Sequence, residues 1–383
     1  SSPSLMTRFE PLTFFSALAM STRHIGLVAT LSTSYMAPYN AARLFASLDH
    51  LSEGRAGWNI VTSSSLRAAQ NFGLPDQESP AVRYERAEEF VEVVKGLWDS
   101  WEDGALPQDK DSGVYLDPTK LHELDHSGKY FSVRGPLNVD RTPQGQPVLV
   151  QAGSSAGGMA LGARVAEVIF TAQPTLDEGR KFYSEMKQGA IAAGRDPSQI
   201  LIMPGVMPIV GRTHDEAQAL FEELQSRIDI KLALSVLSDE LGHDVSGYPL
   251  DAPLPDLPPT IGTISRAELL MRLAREQNLT LAQLARSTAA ARGHHVIVGS
   301  PTEIVDILQE WFETGAADGF NIMPPFFPRG LELFVDLVVP ELQKRGLFRT
   351  AYEGNTLREN LGLAVPQNRY TAQRQQDLAP AES

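Results

Sequence analysis

The chain has 383 residues, 42% of them hydrophobic, enough for one barrel-sized domain with insertions. A formal net charge of −14 argues against nucleic-acid phosphates and anionic membrane surfaces as partners. The absence of cysteine excludes disulfides, a thiolate nucleophile and Cys-based metal sites.

No apolar run approaches the roughly 18 residues of a membrane span. Ser1–Met6 lacks the basic and apolar regions of a secretory signal. A cytoplasmic location is expected.

Apolar runs read as strands at Ile25–Leu31, Gly57–Val61, Pro147–Ala152, Val168–Ala172, Leu201–Val210, Val296–Gly299 and Phe320–Met323. Their continuous apolar character suggests burial on both faces. Between them, Thr175-Leu-Asp-Glu178, Thr213-His-Asp-Glu216 and Ser300-Pro-Thr-Glu303 have capping-box spacing, so helices follow the strands. Arg83–Trp101 reads as an amphipathic helix, with Phe90, Val94, Leu97 and Trp101 inward and Glu85, Glu88, Glu89 and Glu92 toward solvent. Strands alternating with helices imply a parallel α/β sheet. Two excursions interrupt the alternation. Residues 102–146 are rich in Gly, Pro and Asp, and residues 236–293 hold a Pro-rich stretch (Pro249, Pro253, Pro255, Pro258, Pro259) and a helical pattern over Arg266–Arg292. Long insertions of this kind serve as lids or binding loops. The expected organisation is one domain over 1–366 and a polar, loosely held tail over 367–383.

Several segments, in order, resemble the nitrilotriacetate and dibenzothiophene-sulfone monooxygenase family of bacterial luciferase-like flavoproteins. They include Arg8-Phe-Glu-Pro-Leu-Thr13, Phe45-Ala-Ser-Leu-Asp-His50, Gly54-Arg-Ala-Gly-Trp-Asn-Ile-Val-Thr-Ser63 and Asn71-Phe-Gly73. Gly128-Lys-Tyr-Phe131, Arg134-Gly-Pro-Leu-Asn138, Pro147-Val-Leu-Val-Gln-Ala-Gly-Ser-Ser155, Ala317-Asp-Gly-Phe-Asn-Ile-Met-Pro324, Val338-Val-Pro-Glu-Leu342 and Arg345-Gly-Leu-Phe348 continue the series. The resemblance implies a (β/α)8 TIM barrel binding FMN at the C-terminal strand ends. It also implies reduced FMN supplied by a separate NAD(P)H:FMN reductase, O2 as cosubstrate, a small organic substrate, and a homodimer or homotetramer. By the same resemblance Arg8-Phe-Glu-Pro follows the family's second strand, so the first two barrel strands are expected upstream of Ser1. Six barrel strands then remain, with Val296–Gly299 a short extra one.

Site candidates combine residue chemistry with the resemblance. Thr30 ends a strand, where a hydroxyl either caps the backbone or meets a ligand; the family has a flavin-contacting Thr here. Asn59, Thr62 and Ser63 offer neutral donors and acceptors suited to a flavin edge, or cap the next helix. Arg83 and Tyr84 suit a phosphate, and the family uses the matching Tyr for it. Gly153, Ser154 and Ser155 open a turn after a strand, where glycine, free N–H groups and hydroxyls can cradle the FMN phosphate. Pro80 and Asn40 stand where many members carry histidine. His126 lies in a family motif and is expected to shape the cleft. No catalytic nucleophile and no metal set is nominated. An F420-dependent oxidoreductase and a non-catalytic flavin-binding protein are the alternative readings.

Overall fold

The computed structural model describes residues 8–63, 65–255, 257, 264–291 and 293–378. Ser1–Met6, Ser64, Pro258, Pro259 and Arg292, which the sequence readings touched, lie outside the described residues. The contacts of the chain gather into two compact units.

One unit comprises Phe9–Ala152, Arg164–Val168 and Tyr352–Ser383. Its elements begin with α1 (Pro11–Ser21), β1 (Leu27–Ser32), α2 (Pro38–Leu51), β2 (Ala56–Val61), α3 (Leu66–Asn71) and α4 (Pro80–Trp98). The short hairpin of β3 (His126–Ser127) and β4 (Ser132–Val133) and then β5 (Val148–Gln151) follow. β2 pairs in parallel with both β1 and β5. One face of these strands packs on α2 and α4: Trp58 lies 5.6 Å from Phe45 and 5.7 Å from Phe90, ring centroid to centroid. The indole N–H groups are satisfied as burial demands, Trp58 donating to the Leu31 carbonyl and Trp98 to that of Ala42. β1 departs from the expected double burial. Leu27, Ala29 and Leu31 are buried, while Val28 and Thr30 are exposed, so the strand alternates with period two.

α4 starts three residues earlier than expected, because Ser79 caps it and Pro80 takes the first turn, where a missing N–H costs nothing. It ends at Trp98, and Trp101 bonds the Leu137 carbonyl from outside the helix. Glu89 does not face solvent. Its carboxylate accepts the backbone N–H of Tyr130 (3.0 Å) and Phe131 (2.8 Å) and meets His126 Nε2 at 3.1 Å. Burial pushes the Glu89 carboxyl up, but the bonds from His126, Phe131 and Tyr130 outweigh it and hold it below the usual value. Within the expected tail, residues 367–378 hold specific contacts with the rest of the unit. A helix spans Arg369–Leu378, capped by Asn368, whose buried side-chain amide donates to the carbonyls of Asp99 (2.8 Å) and Trp101 (3.0 Å). Thr371 and Arg374 close on the buried Glu102 carboxylate.

The other unit comprises Ser1–Arg8, Gly153–Ala163 and Ile169–Ala351. It contains most of α5 (Ala156–Val165) and β6 (Val168–Thr171), then α6 (Leu176–Ala192), β7 (Leu201–Val210), α7 (His214–Ser226), α8 (Ile230–Leu241), α9 (Ile264–Glu276) and α10 (Leu281–Ala291). β8 (His295–Gly299), α11 (Pro301–Glu313) and β9 (Asn321–Ile322) follow. β6 neighbours β7, and the ten-residue β7 pairs in parallel with β9 at Gly205–Val206 and with β8 over Val206–Val210. The Val296–Gly299 run thus pairs with the far half of β7. Thr175 and Thr213 accept the N–H of Glu178 and Glu216, and the Glu303 carboxylate accepts the Ser300 N–H at 2.8 Å.

The pattern over Arg266–Arg292 is two helices rather than one. Asn278, at a left-handed φ of 50°, breaks it, and Thr280 caps α10 through the Gln283 N–H. α8, α9 and α10 share their own apolar core around Leu237, Leu241, Leu270 and Leu284. Arg272 on α9 pairs with Glu178 at the start of α6. Since α6 follows directly from β6, the insertion lies beside the end of that strand. Among the described residues no helix is long and apolar enough to cross a membrane.

Candidate functional site

In the first unit the exposed face of β1 continues onto β2. Thr30 and Asn59 are register partners on the two parallel strands. Asn59 Nδ2 donates to Thr30 Oγ1 at 3.0 Å, while Asn59 Oδ1 is buried with no hydrogen-bond partner. A buried acceptor left unpaired costs about 1–3 kcal/mol, so this atom is primed for a donor from a ligand. Just beyond, the hydroxyls of Ser32 and Ser63 share a hydrogen bond of 2.8 Å.

Ser63 sits at φ 41°, a strained backbone region for a residue with a Cβ. Three side chains hold the carbonyls of this turn. Ser34 Oγ donates to Thr62 O (2.8 Å), Gln77 Nε2 to Ser63 O (2.9 Å), and Arg83 Nη1 to Ser63 O (2.6 Å) and Thr62 O (3.3 Å). Arg83 Nε also bonds the Glu78 carbonyl at 3.1 Å. Arg83, expected from the sequence at a phosphate, is thus buried with Nε and Nη1 on backbone carbonyls of this loop. Tyr84, next on α4, is half-buried. The structure places Thr30, named from the sequence as a separate candidate, against Asn59, and brings Ser32, Ser34 and Gln77, which the sequence did not single out, onto the same loop. The cluster Ser32-Thr33-Ser34 directly after a strand was the available signal.

In the second unit the turn before α5 brings Gly153, Ser154 and Ser155 together. Ser155 Oγ caps α5 by accepting the Gly158 N–H at 3.2 Å. A Cβ on Gly158 would lie 3.0 Å from Gly153 Cα, so glycine is needed for the turn to fold this closely onto the helix. The Ser154 side chain is exposed. A ten-residue helix opening on a Gly/Ser turn presents N–H groups and hydroxyls without a carboxylate, which suits a phosphate. Near the end of β6, burial pushes the His295 imidazole below its usual value, and its Nδ1 meets the Pro174 carbonyl at 2.8 Å. It is a neutral structural donor.

The substituted family positions are accommodated. Pro80 opens α4, and Asn40 is exposed in the first turn of α2. His126 is committed to Glu89 rather than to a cleft. His122 meets Glu102 at 2.6 Å and stacks on Tyr370, so the two histidines serve different carboxylates.

A family model described as luciferase-like monooxygenase matches residues 1–318. The chain is 54% identical to the N-acetyl-S-(2-succino)cysteine monooxygenase of Bacillus subtilis (strain 168), over 97% of this chain and 85% of that protein. It is 51% identical to nitrilotriacetate monooxygenase component A of Aminobacter aminovorans, over 94% and 80%. The crystal structure of DmoA from Hyphomicrobium sulfonivorans superposes with a TM-score of 0.87 at 32% identity, covering 96% of this chain and 79% of that one. The fold is the luciferase-like TIM-barrel type.

Proposed function

The chain belongs to the luciferase-like monooxygenases, and from that membership we propose that it takes reduced FMN from a separate reductase and uses O2 to oxygenate a small organic substrate. Bound reduced FMN supplies the oxygen-activating chemistry. The protein's own contribution is to bind, orient and shield. The observation that carries the reading is the Thr30–Asn59 pair, a neutral donor–acceptor couple at neighbouring strand ends with one buried carbonyl oxygen unsatisfied.

That chemistry fits an isoalloxazine edge, which presents both donors and acceptors and gains nothing from a fixed charge beside it. Asn59 and Thr30 would hold the ring edge, with the Thr62 and Ser63 hydroxyls at the adjoining turn. Gly153, Ser154, Ser155 and the first N–H groups of α5 would take the phosphate. For Tyr84 the resemblance alone supports a phosphate contact, and Arg83 acts through the loop that it clamps. The α8–α10 insertion, beside the end of β6, is suited to exclude water from reacting groups. No side chain is nominated as a nucleophile.

Relatives at 54% and 51% identity named as monooxygenases favour this reading over an F420-dependent oxidoreductase. The component A name of one relative supports a separate reductase partner. A cytoplasmic homo-oligomer accords with the same reading. Mixing the protein with photoreduced FMN and then with aerated buffer tests it. Flavin reoxidation should follow a protein-dependent time course distinct from that of free reduced FMN, and identical time courses contradict the proposal.

A further inference from the structure

A cavity of about 180 Å³ lies under α3 in the first unit, lined by Ser34, Tyr35, Ala69, Leu74, Gln77, Glu78, Arg83 and Arg86. Three of its polar side chains are already spent, since Ser34, Gln77 and Arg83 all bond the Thr62 and Ser63 carbonyls. Two are not. The Tyr35 hydroxyl and Arg86 Nε are both buried without a hydrogen-bond partner. Arg86 carries its charge over the Phe131 ring, 4.7 Å from the centroid, a contact that supplies no acceptor to its Nε–H. Tyr35 is fixed by stacking on Phe72 at 4.5 Å and 7°. A rigid phenol and a fixed cation thus share one hollow at the same strand ends as Thr30 and Asn59.

We infer that this cavity is a carboxylate subsite for the substrate, with Arg86 and Tyr35 as donors. The inference rests on the monooxygenase reading and adds the class of substrate. A carboxylate accepts from both groups at once and repairs both vacancies, whereas a neutral apolar group repairs neither. The volume admits a carboxylate on a short chain but not a bulky ring system. Glu78 opposes an anion, but its side chain is exposed at the rim, where water weakens the repulsion.

The test is calorimetric titration of the full chain with succinate, with neutral succinamide as control, beside separate titrations with FMN and riboflavin. Succinate should bind and succinamide should not. Arg86→Gln and Tyr35→Phe should each weaken succinate by about tenfold, while Glu78→Gln strengthens it and FMN binding is unchanged in all three. Tyr35→Phe removes one oxygen atom and keeps the stacked ring, so it reports even if Arg86→Gln does not fold. Equal binding of succinate and succinamide, or succinate affinity indifferent to Tyr35→Phe, overturns the inference. So does selective loss of FMN over riboflavin in Arg86→Gln, which would assign the cavity to the flavin phosphate. Failure of the parent to bind FMN while succinate still binds counts instead against the flavin reading.

Discussion

Asn59 Nδ2 reaches Thr30 Oγ1 at 3.0 Å across the register pair of two parallel strands, and the geometry leaves Asn59 Oδ1 buried and unpaired. If that oxygen receives a donor from the flavin ring, Asn59→Ala should weaken FMN and riboflavin alike, by about tenfold, since a single hydrogen bond is worth about 0.5–1.5 kcal/mol. Fluorescence titration checks this. A loss confined to FMN would place Asn59 at the phosphate instead.

Arg83 separates two accounts of one residue. As a clamp on Thr62 and Ser63 it acts through the loop, so Arg83→Met should cost about 2 kcal/mol in urea unfolding and weaken FMN and riboflavin equally. A phosphate ligand at this position would show unchanged stability and a loss for FMN alone.

Glu89 ties the β3–β4 hairpin to α4, and its folded-state pKa lies below the ordinary 4.5. The stabilisation is therefore complete above that value and lost as pH falls through the lower folded-state value. Glu89→Gln should melt below the parent at pH 7, and the gap should narrow once pH drops below 4.5. A gap constant from pH 7 to pH 3 would show that the carboxylate charge contributes nothing.

The final helix is held by Asn368, a buried amide that donates to two carbonyls and caps the helix behind it. Asn368→Ala should destabilise by about 2 kcal/mol, combining a lost cap with buried acceptors left unpaired. Circular dichroism during urea unfolding reads this. A change within about 0.5 kcal/mol, typical of a surface site, would show the tail is docked without being coupled.

The strands and capped helices were legible because apolar runs and capping boxes are local signals, as at Leu201–Val210 and Thr213–Glu216. The pairing of Thr30 with Asn59 was legible only as two strand-end candidates, since register is not written in either strand alone. The bonds of Arg83 to the loop were not legible because they reach carbonyls about twenty residues upstream, at a left-handed Ser63 that composition does not announce. The tail helix was missed because its partners, Asp99, Trp101 and Glu102, lie about 270 residues away and bind it through polar contacts, which leave no hydrophobic period. The break at Asn278 had a visible cue in Asn-Leu-Thr, overridden by the periodicity on either side.

The central claim is that the Gly153–Ser155 turn holds the phosphate of FMN. A charged hydrogen bond is worth about 1.5–3 kcal/mol, and the chain's overall negative charge leaves only local donors to supply it. The direct measurement is parallel titration of FMN and riboflavin into the parent and into a Ser154→Ala, Ser155→Ala double variant. The account predicts FMN weakened by about tenfold to a hundredfold with riboflavin, which lacks the phosphate, nearly unchanged. Equal weakening of both ligands, or no weakening of FMN, would contradict it.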